Sequence, residues 1–284
     1  MTNMVVGQTV GEILNILTSR LEKTSETAGL DSQNLLAHLL DRPRSWVLSH
    51  PELPLTRNRI AALAKLTSRL EAGEPLPYVL GHWFFFGLEF EVTPSVLIPR
   101  PETELLIELA LAWLRTRPEC RYVADVGTGS GCIGITLAVN VPDLHVEAMD
   151  ISPAAVEVAR RNAANHEVRG RMEITCGDLF LEYSNFNLIV ANLPYIPTGT
   201  LHELPIYGRE PNVALDGGVD GMVLIRRLLM EAPTRLLPGG MLLMEIEAAE
   251  GLAVLSFAQD IFTEAHIHLH KDLSGHDRLL EIQI

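Results

Sequence analysis

The stretch that decides the fold is Phe186-Asn187-Leu188-Ile189-Val190-Ala191-Asn192-Leu193-Pro194-Tyr195. Its first six residues form a largely apolar run, which predicts a buried parallel strand. The run ends at Asn192, which has an amide side chain, and a leucine, a proline and a tyrosine come next. Because ligands of open α/β sheets bind just beyond the carboxyl ends of the strands, this polar end predicts a functional site.

The tetrapeptide Asn192-Leu193-Pro194-Tyr195 carries groups suited to holding a planar NH₂ group. The Asn192 carboxamide oxygen accepts hydrogen bonds, and so does the backbone carbonyl of Leu193 or Pro194. Tyr195 offers a flat face on which an amide or a base can stack. No strong base is present, which favours positioning of a weakly nucleophilic nitrogen over acid–base chemistry. A plain strand end followed by a turn explains this tetrapeptide equally well.

From Arg121 to the C-terminus, predicted strands alternate with predicted helices. Helices are expected over Pro153–Asn165 and Gly221–Leu236, and Pro238-Gly239-Gly240 predicts a tight turn before the fifth strand. Seven strands with interleaved helices indicate a doubly wound α/β sheet. The predicted strands are Tyr122–Val126, His145–Met149, Met172–Thr175, Phe186–Ala191, Gly240–Ile246, Ile261–Leu269 and Arg278–Ile282.

The chain before this alternation has a different pattern. Residues Thr9 to Gly73 show helical spacing, with Asp31 expected to cap a second helix and Thr56 to open another. The aromatic-rich stretch His82–Val92, with a turn signal at Gly87, predicts a β-hairpin. We therefore expect a small N-terminal helical-bundle domain over residues 1–78, a β-hairpin linker over 79–101 and the sheet domain over 102–284. The bundle is interpreted either as a partner-docking surface or as a stabilising cap.

The overall charge limits the classes of partner. The 284-residue chain carries 22 basic and 36 acidic residues, a formal net charge of −14. Such acidity disfavours extended binding to a phosphate backbone, so no direct nucleic-acid partner is expected. Its three cysteines lack metal-ligand spacing and fit a reducing compartment. Without a signal-peptide pattern or an apolar run near the ~20 residues of a membrane helix, a soluble cytoplasmic protein without a membrane partner is predicted.

Three glycines alternate in Asp125-Val126-Gly127-Thr128-Gly129-Ser130-Gly131, where the first predicted strand meets a helix. Such glycines let a ligand approach the backbone closely. Asp150, which ends the second strand, can accept both hydroxyls of a ribose. Asp178 follows the third strand and can accept from an adenine amine, with Leu179 or Phe180 against the ring. These residues predict a nucleoside site on the same sheet edge as Asn192.

A nicotinamide dinucleotide site is the rival interpretation. The stretch Gly129–Gly134 matches G-x-G-x-x-G, and Asp150 lies at nearly the expected distance downstream. However, the glycine run begins earlier, at Gly127, and Asp125 precedes it. That carboxylate would repel a pyrophosphate but attract a sulfonium–ammonium ligand. A glycine-rich turn with capping acids is the third interpretation; the tetrapeptide after the fourth strand favours the sulfonium ligand.

These motifs resemble those of class I methyltransferases that use S-adenosylmethionine and methylate nitrogen. More specifically, the chain resembles the release-factor glutamine N5-methyltransferase family, and the resemblance runs from the helical region to the C-terminus. Four further stretches support it, namely Gly73-Glu74-Pro75-Leu76-Pro77-Tyr78, Leu97-Ile98-Pro99-Arg100-Pro101-Glu102-Thr103-Glu104, Glu210-Pro211-Asn212-Val213-Ala214-Leu215 and Asp272-Leu273-Ser274-Gly275-His276-Asp277-Arg278.

The resemblance implies a role for each matching residue. Asp150 is expected to bind the ribose of S-adenosylmethionine, and Asp178 with Leu179 its adenine side. Asn192 and the Pro194 carbonyl are expected to hold the target amide beside the cofactor, with Leu193 and Tyr195 lining its pocket. Leu193 stands where many members have a proline, and Leu179 where some have an aromatic residue. The loop residues expected to wrap the methionine part are Gly127, Thr128, Gly129, Ser130 and Gly131.

The activity implied by the resemblance is transfer of a methyl group from S-adenosylmethionine to the glutamine N5 of the Gly-Gly-Gln motif in peptide-chain release factors, the proteins of translation termination. The helical domain would then be the docking surface. The alternatives are a methyltransferase acting on DNA or RNA amino groups (adenine N6 or guanine N2), which needs a basic recognition face, and a non-catalytic binding module. His266, His268 and His270 can share one strand face, but no acidic or cysteine ligand joins them, so no metal site is predicted.

Overall fold

The first unit of the chain spans residues 1–81, and its described part is helical in the computed structural model, which describes residues 7–180 and 185–284. Thr9 begins the first helix through a capping box with Glu12, and Thr56 caps the fourth, as predicted. Asp31 lies in the first turn of the second helix instead of capping it, and accepts hydrogen bonds from the hydroxyls of Ser25 and Thr27. The helices are α1 (Val10–Leu21), α2 (Ala28–Leu40), α3 (Arg44–Ser49), α4 (Arg57–Glu71) and α5 (Leu76–Leu80).

The second unit, residues 82–284, begins with the predicted hairpin. Strands β1 (His82–Phe85) and β2 (Leu88–Glu91) pair antiparallel. Phe86 and Gly87 connect them with φ of 49° and 76°, the left-handed values that a two-residue hairpin turn requires. The Glu104 carboxylate accepts a hydrogen bond from the Phe86 amide at 2.8 Å. This contact ties the hairpin turn to the start of the next helix.

Strands and helices then alternate to the C-terminus. Val123, Leu188 and other alternate strand residues pack under the helices Glu104–Arg115, Cys132–Asn140 and Pro153–Asn165, while the residues between them pack under Val223–Glu231 and Gly251–Ile261. Burial on both faces explains why the central strand Phe186–Ala191 is a nearly continuous apolar run. The elements are α6 (Glu104–Arg115), β3 (Tyr122–Val126), α7 (Cys132–Asn140), β4 (His145–Asp150), α8 (Pro153–Asn165), β5 (Met172–Cys176), β6 (Phe186–Ala191), α9 (Thr198–Leu201), α10 (Val223–Glu231), β7 (Leu236–Glu245), α11 (Gly251–Ile261), β8 (His266–Lys271) and β9 (Asp277–Gln283).

The seven-stranded sheet has the order β5-β4-β3-β6-β7-β9-β8. The first five strands are parallel, and β9 runs antiparallel to both of its neighbours. This confirms the predicted class I methyltransferase sheet. The strand order reverses between β3 and β6, which is where doubly wound sheets bind ligands.

The register brings four polar or glycine positions into one row. Val126 of β3 lies opposite Met149 of β4 and Ala191 of β6, and Ala191 lies opposite Met244 of β7. The residue that follows each of these four lies at the carboxyl edge of the sheet. Across the four neighbouring strands, these next residues are Asp150, Gly127, Asn192 and Glu245.

Three local predictions differ from the structure. The predicted helix Gly221–Leu236 is shorter, because α10 covers Val223–Glu231 and Leu236 already begins β7. The predicted sixth strand, Ile261–Leu269, begins only at His266, because Val254 and Ala258 continue the apolar face of α11 up to Phe262. Pro238-Gly239-Gly240 lies inside β7 instead of forming a turn before it, and the pairing with β6 shifts register there. Within the described ranges, the helices lack the combination of length and apolarity that a membrane crossing demands.

Candidate active site

A cavity of about 460 Å³ opens at the switch point between β3 and β6, within the range of small-ligand sites. A second cavity of about 360 Å³ shares Asn192, Leu193 and Pro194 with it and adds Tyr195. Among the described residues, the predicted site residues Gly131 and Tyr195 do not line the first cavity. Those that line it are Gly127, Thr128, Gly129, Ser130, Asp150, Asp178, Leu179, Asn192, Leu193 and Pro194.

The glycine loop is shaped by its backbone angles and by a buried acid. Gly127, Gly129 and Gly131 have φ of 74°, 57° and 82°, which residues with a Cβ rarely adopt. Asp125 is fully buried, and its Oδ2 accepts from the Thr128 hydroxyl at 2.5 Å and from the Gly134 amide at 2.9 Å. Burial raises the pKa of the Asp125 carboxyl to about 6. Asp125 therefore stabilises the loop from within the core and does not face the cavity. The prediction that its carboxylate would meet the ligand and repel a pyrophosphate is thus wrong.

Asp150 joins the loop to the end of β4. Its Oδ2 accepts from the Gly129 amide at 2.8 Å, and its Oδ1 accepts from the Ser152 amide at 2.9 Å. Burial raises the pKa of this carboxyl, while the two backbone hydrogen bonds lower it. Each carboxylate oxygen can accept a further hydrogen bond, so the pair of oxygens fits the two hydroxyls of a ribose.

Asp178 and Leu179 lie farther along the same cavity wall. The Asp178 carboxylate forms an ion pair with Arg227 at 2.9 Å. Leu179 is buried and adopts a left-handed φ of 64°. Phe180 packs against Phe186 instead of lining the cavity. Of the two apolar residues considered for a flat ring, Leu179 is thus the one at the cavity.

Asn192 is held from behind by two buried side chains. Its Nδ2 donates to Glu245 Oε2 at 2.9 Å and to Thr103 Oγ1 at 3.1 Å. The Thr103 hydroxyl donates to the same Glu245 oxygen at 2.6 Å. Glu245 and Thr103 are each 2% exposed, so this network is shielded from water. Burial raises the pKa of the Glu245 carboxyl, and the Thr103 hydrogen bond opposes the rise.

Other polar residues that the sequence analysis did not select also hold the site together. Glu210 is buried and accepts from the Ile98 amide at 3.0 Å and from Arg100 at 2.5 Å. This explains why the stretches around Arg100 and Glu210 both carry the family pattern. Asn162, also buried, donates to the Ser130 carbonyl at 2.8 Å and accepts from the Glu91 amide at 2.8 Å. The sequence signal for Asn162 is that it is a single polar residue on the apolar face of α8.

Gly217 is a tight backbone contact beneath Tyr195. A Cβ at Gly217 would lie 2.5 Å from the Gly221 carbonyl oxygen and 2.8 Å from the Tyr195 carbonyl carbon. Gly217→Ala should therefore displace the Tyr195 backbone, lowering turnover and destabilising the fold by about 1–3 kcal/mol. Denaturant unfolding and initial rates measure both effects. Gly199→Ala, whose Cβ meets no atom within 4 Å, is the matched control and should leave both unchanged. Equal stability of the two variants would contradict the expected clash.

The three histidines lie on β8 at the edge of the sheet. His270 Nε2 is hydrogen-bonded to the Glu281 carboxylate at 2.9 Å, and the rings of His268 and His270 are 4.5 Å apart. In the part of the chain that the structure describes, no group of three or more histidine, cysteine or acidic residues is arranged to hold a metal ion. The histidines therefore form a face of the edge strand away from both cavities.

The family models and relatives agree with the motifs. Residues 12–81 match the PrmC N-terminal domain, and residues 103–203 match the methyltransferase small domain. The N-terminal domain of human METTL16 in complex with SAH shares the fold, with a TM-score of 0.51 and 15% identity over 80% of this chain and 82% of that one.

Two relatives are similar over nearly their full length. The release factor glutamine methyltransferase of Geobacter sulfurreducens is 40% identical over 91% of this chain and 90% of its own. That of Vibrio cholerae serotype O1 is 37% identical over 95% of each chain. Identity of this extent confirms the resemblance carried by the motifs. The chain therefore belongs to the release factor glutamine methyltransferase family.

Proposed function

We propose that this chain methylates the side-chain N5 of the glutamine in the Gly-Gly-Gln motif of peptide-chain release factors, with S-adenosylmethionine as its cofactor. The observation that carries the proposal is the position of Asn192. This residue borders both cavities, one fitted to a nucleoside and the other lined by Tyr195 and apolar residues. A substrate amide reaching over Asn192 from the second cavity would meet a cofactor in the first.

The first cavity fits S-adenosylmethionine in its chemistry. The Asp150 carboxylate suits the ribose diol, and Asp178 with Leu179 suits the adenine side. The loop from Gly127 to Gly131 exposes backbone groups toward the methionine part, although Gly131 itself acts through the turn into α7. Bound there, S-adenosylmethionine supplies a methyl group on a positively charged sulfur, which becomes a neutral thioether once the methyl is lost.

The chain contributes positioning more than acid–base chemistry. The lone pair of an amide nitrogen is delocalised, which makes the nitrogen a weak nucleophile. The Asn192 oxygen and the Pro194 carbonyl accept hydrogen bonds from the two N–H groups of the substrate amide, and this turns the nitrogen toward the methyl group. As the nitrogen gains the methyl, positive charge develops on it, and the same two oxygens stabilise that charge. One proton then leaves the nitrogen for water, so the site needs no strong base.

The lining of the second cavity and the charge of the chain support a release factor as the partner. The second cavity is mainly apolar, with Leu97, Leu204 and Ile206 in its walls, and suits a segment with small side chains such as the glycines before the target glutamine. The net charge of −14 favours a basic, ribosome-binding protein over a nucleic acid. The helical unit is the proposed docking surface for the release factor, and the cytoplasm, where translation ends, is the proposed location.

A side-by-side transfer assay tests this function. The full chain is incubated with S-adenosylmethionine and with a release factor, duplex DNA or ribosomal RNA. We expect the mass of the glutamine-containing release-factor peptide to rise by one methylene group, and no transfer to either nucleic acid. A release factor whose motif glutamine is replaced by alanine is the matched control and should gain nothing. Transfer to DNA or RNA, or transfer that survives the replacement, would overturn the proposal.

A further inference from the structure

An asparagine that must accept a hydrogen bond has an orientation problem. The oxygen and nitrogen ends of its carboxamide have nearly the same shape, but only the oxygen is an acceptor. A half-turn of the Asn192 side chain would place its NH₂ group against the substrate NH₂, so two donors would face each other. The proposed reaction therefore requires something that keeps the oxygen of Asn192 toward the substrate.

We infer that Thr103 and Glu245 are positioning residues that fix the orientation of the Asn192 carboxamide; this inference rests on the proposed function. An ionised carboxylate has only acceptors, and Glu245 Oε2 lies 2.9 Å from Asn192 Nδ2. The half-turned amide would place its oxygen against that carboxylate. Among residues 7–180 and 185–284, neither hydrogen bond of the Asn192 side chain uses Oδ1. The oxygen is thereby left for the substrate.

Thr103 closes the network. It ends the 3₁₀ turn Pro101–Thr103 that leads into α6, and its hydroxyl makes no capping bond to the helix backbone. The hydroxyl instead donates to Glu245 at 2.6 Å, which leaves its lone pairs to accept from Asn192 at 3.1 Å.

The charge around Glu245 supports the same role. Burial raises the pKa of the Glu245 carboxyl, and the charge of Glu102 adds to the rise. The Thr103 hydrogen bond and the positive charges of Arg278 and Arg100 lower this pKa and favour the ionised form. Arg100 and Arg278 belong to two of the family stretches, and Thr103 to one of them. These distant parts of the sequence thus converge on the carboxyl group of Glu245. In its ionised form, Glu245 also polarises the Asn192 amide through the hydrogen bond between them, which makes the Asn192 oxygen a better acceptor for a nitrogen that becomes positive.

Two substitutions of Thr103 separate positioning from packing. Thr103→Val keeps the shape and removes the hydroxyl, whereas Thr103→Ser keeps the hydroxyl and removes a methyl. With release factor as substrate, we expect Thr103→Val to lower kcat about tenfold, the usual worth of one buried hydrogen bond. The KM for S-adenosylmethionine and the melting temperature should change little, and Thr103→Ser should restore most of the turnover. A packing role predicts the reverse order, with valine harmless and serine damaging.

A control variant and a second test variant complete the experiment. Thr116→Val, at the other end of α6, removes a hydroxyl that donates to the Trp113 carbonyl and accepts from the Arg117 side chain, and it should leave methyl transfer unchanged. If Thr103→Val does not fold, Glu245→Leu gives the same test by removing both acceptor oxygens while keeping a side chain of similar size. Wild-type kcat in Thr103→Val, or in Glu245→Leu, overturns the inference. Failure of the wild-type chain to methylate the release factor is a different result, and overturns the proposed function instead.

Discussion

Replacing Asn192 by alanine is expected to lower the rate of methyl transfer by about 10²–10³-fold, the usual effect of removing one group that stabilises transition-state charge. The substitution removes the acceptor that orients the substrate nitrogen and opposes its developing positive charge. Cofactor affinity should hardly change, because the predicted ribose contacts belong to Asp150, two strands away in the sheet. Single-turnover rates at saturating cofactor, together with calorimetric cofactor binding, measure the two quantities separately.

The Asn192→Ala experiment needs a control for the substitution itself. Asn165→Ala makes the same change at an exposed position at the end of α8 and should leave the rate unchanged. Because Asn192→Ala also leaves Glu245 without its amide partner, the melting temperature is measured alongside. A rate near that of the wild type would remove Asn192 from the reaction, and loss of cofactor binding would give it a different role.

Replacing Asp150 by alanine is expected to weaken S-adenosylmethionine binding on the order of 10²-fold, since each hydrogen bond to a charged group contributes about 1.5–3 kcal/mol. The change removes the acceptor for the ribose and also the 2.8 Å contact that holds the Gly129 amide. Isothermal titration with S-adenosylmethionine, and with the demethylated product, measures the loss. Raising the cofactor concentration should recover much of the turnover, which it should not do for Asn192→Ala.

Asp143→Ala is the matched control for Asp150→Ala. Asp143 precedes β4, whereas Asp150 ends it, so the two aspartates lie at opposite edges of the sheet. Asp143 is exposed and forms an ion pair with Arg121 at 2.7 Å. We expect its removal to leave cofactor affinity unchanged. Equal affinities for the Asp150→Ala and Asp143→Ala variants would exclude Asp150 from the ribose site.

Much of the site could be predicted because its residues end strands that are visible in the sequence. The apolar run before Asn192 and the one before Asp150 each stop on a polar side chain, and parallel strands bring such ends to one edge. The glycines at 127 and 129 were found in the same way. These signals are local, since each needs only the period of a strand and the residue that follows it.

The remainder of the site depends on register and burial, which no local pattern contains. Glu245 was overlooked as one acid at the end of a strand, and only the pairing of Ala191 with Met244 sets it beside Asn192. Thr103 had the appearance of an ordinary helix start. Asp125 was interpreted as facing the ligand, because its position in the strand does not reveal that Thr128 and Gly134 enclose it.

The row that ends four adjacent strands has a consequence for which methyl donors the enzyme can use. Neighbouring strands are about 4.8 Å apart, so Asp150 and Asn192, separated by β3 alone, lie on the order of 10 Å from each other across the sheet. In S-adenosylmethionine the sulfur is bonded to the 5′ carbon of the ribose, so a sugar held at Asp150 keeps the methyl group close to it, within that gap. A donor that carries its methyl group farther from the sugar would place it elsewhere, so the spacing of the strands selects where on the donor the methyl group can be carried.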